Sequence, residues 1–260
     1  MAGQARAPGV EVTSADLGGV RCVVCTPAGA RGRLVHFHGG GYRLGSAGAW
    51  APFGTRLAAA CGLEVRLPDY ALAPEHPFPA ALHDALAVVE ASADGDPLFL
   101  SGDSAGGGLA LSAAILARRA GARIAGVALF SPWLDLTATS DAYRACADSD
   151  QLFSRAAATE AAATYLQGVA TDDPLASPLF ADLSDAPPTL VMVSAAEVLL
   201  QDSLSLARRC AELGRAVQLH VVPGQPHVWP VLRPEAPQSA RALEAMAAFF
   251  SHCDPETADA

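Results

Sequence analysis

The chain has 260 residues, enough for one large domain with a sizeable core, and its 51% hydrophobic and 17% charged residues are typical of a folded protein. The net charge of -10 argues against a nucleic-acid partner, because binding to phosphates requires a basic surface. The sequence contains no lysine and no asparagine, which excludes a Walker phosphate loop, a lysine Schiff base, a Ser-Lys dyad and an Asn-oriented Cys-His protease.

Short β-like segments alternate with helix-like segments along the chain. The predicted strands, in chain order, are Val10–Thr13, Val20–Thr26, Arg33–Phe37, Glu64–Leu67, Pro97–Ser101, Ile124–Phe130, Thr189–Ser194 and Val217–Val222. The predicted helices are Ala49–Cys61, Ala80–Ser92, Ala105–Ala120, Gln201–Leu213 and Pro237–His252. This alternation predicts an α/β fold, with a mostly parallel central sheet and helices on both faces.

The segment from Asp135 to Asp185 interrupts the alternation and contains an Ala-rich helical stretch around Ala156–Leu166. A structureless loop of this length is uncommon in a compact domain, so we predict a helical insertion at residues 135–185. Ligands in such folds bind beyond the carboxyl ends of the strands, and the insertion is therefore placed to act as a cap. We expect one domain over residues 1–260.

Targeting signals and cysteines bear on the cellular location. No apolar run reaches the roughly 20 residues of a membrane span, and the start of the chain lacks the apolar core of a signal peptide. These observations predict a cytoplasmic protein with free thiols. Cys22 and Cys25 form a C-x-x-C pair, but within a predicted strand they point to opposite faces of the sheet, which favours packing over zinc binding or redox chemistry.

The sequence G-D-S-A-G at residues 102–106 lies between a predicted strand and a predicted helix. This context is typical of the nucleophile elbow, a sharp turn that exposes a strained serine at the end of a strand. Ser104 is therefore a candidate nucleophile, and the helix that follows it favours developing negative charge. The alternative is a glycine-rich turn with an unreactive serine.

The sequence H-G-G-G-Y at residues 38–42 follows the predicted strand Arg33–Phe37. Three glycines allow backbone N–H groups to turn toward a substrate oxygen, and the N–H of Ala105 would complete an oxyanion hole. Phosphate binding is not favoured, because G-x-G-x-x-G is not matched. His36 and His38 lack a third ligand nearby for a metal, and the His38 ring is expected to anchor the loop.

A general base and an acid that orients it are also expected near the carboxyl edge of the sheet. His227 lies in a loop directly after the strand Val217–Val222, whereas His220 and His83 fall within a predicted strand and helix. Glu197 is the first carboxylate after the strand Thr189–Ser194. Position favours Glu197 over Asp202, but Asp202 stays open as the alternative.

These motifs, taken in order, resemble those of the bacterial esterases related to hormone-sensitive lipase, which have the α/β-hydrolase fold. HGGGY at 38–42 matches the family's HGGG-aromatic loop, and GDSAGG at 102–107 matches its elbow. DYALAPE at 69–75, SPL at 177–179 and EVLL at 197–200 resemble further family motifs, and the resemblance covers about residues 20–250.

The resemblance implies that Ser104 is the nucleophile, His227 the base and Glu197 its partner. It further implies an oxyanion hole formed by the N–H groups of three residues, with a fourth holding the loop: Gly40, Gly41 and Ala105, with Gly39. The chain departs from the family at Ala71, where Arg is usual, and at Glu197-Val198, where Asp-Pro is common. Only a short segment precedes the first strand, so a reduced cap and a more open pocket are expected.

We therefore predict a serine hydrolase that cleaves esters of small or medium acyl groups, or lactones, without a cofactor or metal. The hydrophobic candidates for its substrate pocket, each of which fits a core position equally well, are Tyr42, Leu44, Trp133, Phe153, Val198 and Trp229. An amidase or formamidase would use the same triad. A lyase or cyclase, or a non-catalytic binding module, are the alternatives of another class. The last strand and the helix after it are a possible homodimer surface.

Overall fold

The computed structural model describes residues 4–93, 95 and 97–253, and an eight-stranded sheet forms its centre. The strands are β1 (Val10–Leu17), β2 (Val20–Pro27), β3 (Arg33–Phe37), β4 (Glu64–Pro68), β5 (Leu98–Asp103), β6 (Ile124–Phe130), β7 (Thr189–Ser194) and β8 (Val217–Val222). Their order is β1-β2-β4-β3-β5-β6-β7-β8. Strand β2 runs antiparallel to β1 and β4, and the other neighbours pair in parallel, which confirms the predicted mostly parallel sheet.

Helices cover both faces of this sheet. They are α1 (Ala47–Cys61), α2 (Ala80–Glu90), α3 (Ala105–Arg119), α4 (Ala142–Ala145), α5 (Arg155–Leu166), α6 (Leu200–Glu212), α7 (Trp229–Leu232) and α8 (Pro237–Cys253), with a 3-10 turn at Pro178–Phe180. Helices α1 and α8 form one hydrophobic core with the sheet, and α2, α3, α5 and α6 form the other. Cys22 lies in one core and Cys25 in the other, so the two thiols face opposite sides as predicted.

The centre of the sheet is the best buried part of the fold. All six residues of β5 are buried, and α3 is buried on nearly all sides between the sheet and α2. The apolar run Leu98-Phe99-Leu100 at the start of β5 is typical of a parallel strand that is covered on both faces. Strand β5 extends to Asp103, two residues beyond the predicted end, so the strand leads directly into Ser104.

The predicted elements are confirmed, with differences of a few residues at their ends. Strand β1 is longer than predicted because it pairs along its whole length with β2 in a hairpin. The short helices α4 and α7 were not predicted, since each has only four residues and too little periodicity to detect. The Ala-rich stretch of the insertion forms α5. Within the part of the chain that the structure describes, no helix is long and apolar enough to cross a membrane.

Candidate active site

Ser104 occupies the tight turn that joins β5 to α3. Its backbone has φ 54° and ψ -123°, a conformation that a residue other than glycine rarely adopts. Its N–H donates to the carbonyl of Phe130 at 2.9 Å, and its own carbonyl accepts from Trp133 N at 2.9 Å. Gly106 lies against the backbone of Phe37, so that a Cβ atom there would overlap the carbonyl oxygen. The surrounding backbone thus holds the strained turn in place.

Three buried side chains form a continuous hydrogen-bonded chain that ends at Ser104. The Nε2 atom of His227 lies 2.9 Å from Ser104 Oγ, and its Nδ1 lies 2.5 Å from Glu197 Oε2. Ser104 and His227 are each 8% exposed, and Glu197 is 1% exposed. The structure therefore brings the three residues together in the order serine, histidine, carboxylate.

The pKa of His227 depends on its burial and on the carboxylates near it. Burial of the ring favours its neutral form. The hydrogen bond and negative charge of Glu197, with the charges of Asp150 and Asp103, together outweigh burial, and the pKa of His227 is raised. A histidine held in this way has one nitrogen fixed by the carboxylate and the other directed at the serine hydroxyl. That arrangement suits a general base that must also carry a transient positive charge.

Glu197 is held by groups from two neighbouring strand ends. Its Oε1 accepts from Ser131 Oγ at 2.7 Å and from the N–H of Ser194 at 2.6 Å. Ser131 Oγ also accepts from the N–H of Val228 at 3.1 Å, which joins the acid to the loop of the histidine. Sequence analysis missed Ser131, and its place at the carboxyl end of β6, before a proline, was the only signal.

Asp202, the alternative acid, is placed elsewhere. Its Oδ2 accepts from the N–H groups of Leu134 at 2.8 Å and Asp135 at 3.1 Å, and no hydrogen bond joins it to His227 in the described chain. Burial raises the pKa of Asp202 to about 8. Asp202 therefore fastens the start of the insertion to α6, and Glu197 is the carboxylate beside the histidine.

The glycine-rich loop lies beside the elbow. Gly40 has φ 123°, and a Cβ atom there would overlap the carbonyl of Leu44, so only glycine fits this turn. Among the described residues, the N–H groups of Gly40, Gly41 and Ala105 donate to no protein acceptor. The loop therefore presents unused donors next to Ser104, which is the requirement for binding an oxyanion.

Gly39 and His38 fix this loop to the fold. A Cβ atom at Gly39 would approach Ser104 Cβ to 3.2 Å, so the loop and the elbow are in direct contact. His38 Nδ1 lies 2.8 Å from the carbonyl of Gly39, and the ring stacks on Tyr70 with centroids 4.3 Å apart. Burial lowers the pKa of His38, so the neutral ring donates to the carbonyl and anchors the loop.

His36 lies in β3 and its ring is hydrogen-bonded to two side chains of the neighbouring strand β5. Its Nδ1 lies 2.8 Å from Ser101 Oγ and its Nε2 lies 3.2 Å from Asp103 Oδ1. Both ring nitrogens are therefore occupied by protein partners. In the described residues, no group of three or more His, Cys, Asp or Glu side chains is arranged to hold a metal ion.

Three of the six predicted pocket residues form an aromatic row that starts at His227. The Phe153 ring is stacked on the His227 ring with centroids 5.9 Å apart, and it meets Trp133 edge-on at 5.4 Å. The ring centroids of Tyr42 and Trp133 lie 6.3 Å apart, whereas Val198, which directly follows Glu197, is fully buried in the core.

The structure places Trp229 and Leu44 away from this aromatic row. Trp229 is fully buried in the core formed by α1 and α8, where its indole is directed to the start of α8. The side chain of Leu44 is 68% exposed on the outside of the loop turn. The sequence does not show on which side of the sheet a loop residue packs, so burial separates these two residues only in the structure.

Comparisons with known proteins show what this chain is similar to. A family model described as the alpha/beta hydrolase fold matches residues 34–231. The chain is 36% identical over 230 residues to an acetyl-hydrolase of Streptomyces hygroscopicus, covering 86% of this chain and 77% of the relative. It is 33% identical over 254 residues to an esterase of Acinetobacter venetianus, covering 95% and 84% of the two chains.

A solved structure is also similar over nearly the whole chain. It is an esterase from the bacterial hormone-sensitive lipase family, with a TM-score of 0.90 and 34% identity. The match covers 95% of this chain and 85% of that chain.

Proposed function

Because the chain belongs to the α/β-hydrolase family, among the esterases related to hormone-sensitive lipase, we propose that it cleaves short-acyl esters through an acyl-enzyme on Ser104. The family membership supports ester hydrolysis as the activity of this chain. The observation that supports Ser104 as the nucleophile is the hydrogen-bonded chain from its hydroxyl through His227 to Glu197.

In the first step Ser104 Oγ attacks the ester carbonyl carbon while Nε2 of His227 takes the hydroxyl proton. The N–H groups of Gly40, Gly41 and Ala105 bind the oxyanion that forms. The carbon–oxygen bond to the alcohol then breaks, and His227 returns its proton to the leaving alkoxide. Water, deprotonated by His227, cleaves the acyl-enzyme in the same way.

The space near the nucleophile favours a small acyl group. Tyr42 is 2% exposed and Trp133 is fully buried, so neither is free to move aside without disturbing the core. Ser104 itself is only 8% exposed. The similar protein from Streptomyces hygroscopicus is named an acetyl-hydrolase, which is consistent with a short acyl group here.

The insertion is proposed to act as the cap of this pocket. The ring of Tyr165, on α5, stacks on Tyr42 of the glycine loop with centroids 3.8 Å apart. Arg43 of the same loop donates to Glu160 of α5 at 2.9 Å. Helix α5 therefore covers the glycine loop directly, while a pocket more open than that of the related esterases stays a prediction.

Turnover of p-nitrophenyl esters from acetate to decanoate tests this function. Wild type should hydrolyse the acetate and butyrate best, and Ser104→Ala should lose at least about 1,000-fold in kcat. Ser112→Ala is the matched control, since it removes a buried hydroxyl from the same helix. Absence of ester turnover by folded wild type, or equal turnover by Ser104→Ala, would overturn the proposal.

p-Nitroacetanilide belongs in the same panel, because an amidase would use the same residues. The cytoplasmic location, the homodimer and the absence of nucleic-acid binding stay predictions of the sequence.

A further inference from the structure

The base of the insertion is joined by hydrogen bonds to the loop that carries the acid. Ser149 Oγ donates to the carbonyl of Ala196 at 2.8 Å, and the N–H of Val198 donates to Asp150 Oδ2 at 3.0 Å. These two contacts lie on either side of Glu197 in the chain. The acid loop is therefore fixed from the insertion as well as from the sheet.

The second oxygen of the same carboxylate holds the aromatic wall of the site. Asp150 Oδ1 accepts from the N–H groups of Leu152 and Phe153, each at 3.0 Å. The Phe153 ring is stacked on the His227 ring with an interplanar angle of 12°. One side chain thus connects the residue after Glu197 to the ring that covers His227.

We propose that Asp150 is a positioning residue for the reaction, which holds Phe153 against His227 and fixes the acid loop at Val198. The proposal rests on the function proposed above. Asp150 is 9% exposed, and its carboxylate accepts from all three of these backbone donors. Charge-assisted hydrogen bonds of this kind are stronger than neutral ones and fix geometry more firmly.

The charge of Asp150 also acts on the base. The carboxylates whose charges raise the pKa of His227 against its burial are Glu197, Asp150 and Asp103. Removal of the Asp150 charge should therefore lower the pKa of His227. A residue that only stabilised the fold would leave the pH dependence of the reaction unchanged, and this difference separates the two roles.

Two substitutions at this position separate geometry from charge. Asp150→Asn keeps one acceptor oxygen and removes the charge, whereas Asp150→Glu keeps the charge and displaces the acceptors. Asp148→Asn is the matched control, because it removes the same charge from an exposed residue of the same segment.

The first measurement is the pH dependence of kcat and KM for p-nitrophenyl acetate. For Asp150→Asn we expect about a tenfold loss of kcat/KM, mostly in kcat, and a lower midpoint of the pH profile. Asp150→Glu should lose kcat but keep the wild-type midpoint, and Asp148→Asn should match wild type. Wild-type kcat and midpoint in Asp150→Asn, with or without a lower melting temperature, would overturn the proposal.

The second measurement does not depend on turnover. The imidazole of His227 is titrated by NMR in wild type and in the variants, with its signal assigned by its loss in His227→Gln. The titration midpoint should fall in Asp150→Asn and stay in Asp150→Glu. A midpoint unchanged in Asp150→Asn would contradict the proposal even if no ester were hydrolysed, whereas a shifted midpoint without turnover would overturn the proposed function alone.

Discussion

The two halves of the candidate site are built in different ways. The nucleophile half, with Ser104 and the glycine loop, is shaped by close approach of backbone to backbone, as at Gly40 and Gly106. The acid–base half, with Glu197 and His227, is held by side-chain hydrogen bonds that come from distant segments. The first half depends on the absence of side chains, and the second depends on their presence.

The largest effect is expected where the acid–base half loses its charge. In Glu197→Gln, kcat should fall about 10,000-fold, or roughly 5 kcal/mol of transition-state stabilisation, because the amide no longer stabilises the charged imidazole.

In wild type, kcat/KM should rise with pH through a midpoint above 6.5, since the raised pKa of His227 keeps the base protonated below it.

The Glu197→Gln substitution should also lower the midpoint of this pH profile. With the charge and hydrogen bond of Glu197 gone, burial dominates and the pKa of His227 falls, so residual activity should persist at lower pH than in wild type. The pH profiles of both proteins check this, and a midpoint that stays in place would mean that Glu197 does not act on His227.

The difference between the halves explains what sequence analysis could find. The elbow and the glycine loop are short runs in which each residue is needed for local backbone shape, so the pattern shows in the sequence. Ser131 contacts Glu197 across 66 positions and Ser104 contacts His227 across 123, and no local pattern marks such pairs. The histidine was found because it follows a strand, whereas Asp150 lies within the insertion, where no strand marks its place.

The addition of one methyl group in the nucleophile half should strongly destabilise the fold. In Gly106→Ala the new Cβ meets the carbonyl oxygens of Phe37 and His38, and we expect a loss of about 3 kcal/mol or more in the free energy of unfolding. Chemical denaturation measures this loss.

Gly48→Ala is the control, because nothing lies within 4 Å of a Cβ atom at this position of α1. It should be neutral or stabilising by up to about 1 kcal/mol. Equal stability of the two variants would contradict the close approach of the elbow to the end of β3.

A smaller loss is expected when one support of the acid–base half is removed. Ser131→Ala deletes the hydroxyl between Glu197 and the N–H of Val228, and kcat should fall about tenfold while KM changes little. Ser14→Ala, on exposed β1, serves as the control. A wild-type kcat would show that Ser194 alone is sufficient to hold the carboxylate.

The smallest effect is expected at the surface contact between the glycine loop and α5. Glu160 is 73% exposed, and Glu160→Gln should change the free energy of unfolding by no more than about 0.5 kcal/mol. The change should vanish in high salt, because exposed charges are screened. Thermal unfolding at low and high salt gives this comparison, and a larger, salt-independent loss would show that the ion pair is essential to the cap.

The central claim is that both halves act together on one hydroxyl, and labelling with diethyl p-nitrophenyl phosphate tests it most directly. Ser104 Oγ would form a bond to phosphorus as p-nitrophenolate leaves, with the serine proton taken by His227. Intact-mass spectrometry should show one diethylphosphoryl group on wild type, slower labelling of Glu197→Gln and none of Ser104→Ala. An unlabelled wild type, or equal labelling of Ser104→Ala, would contradict the account.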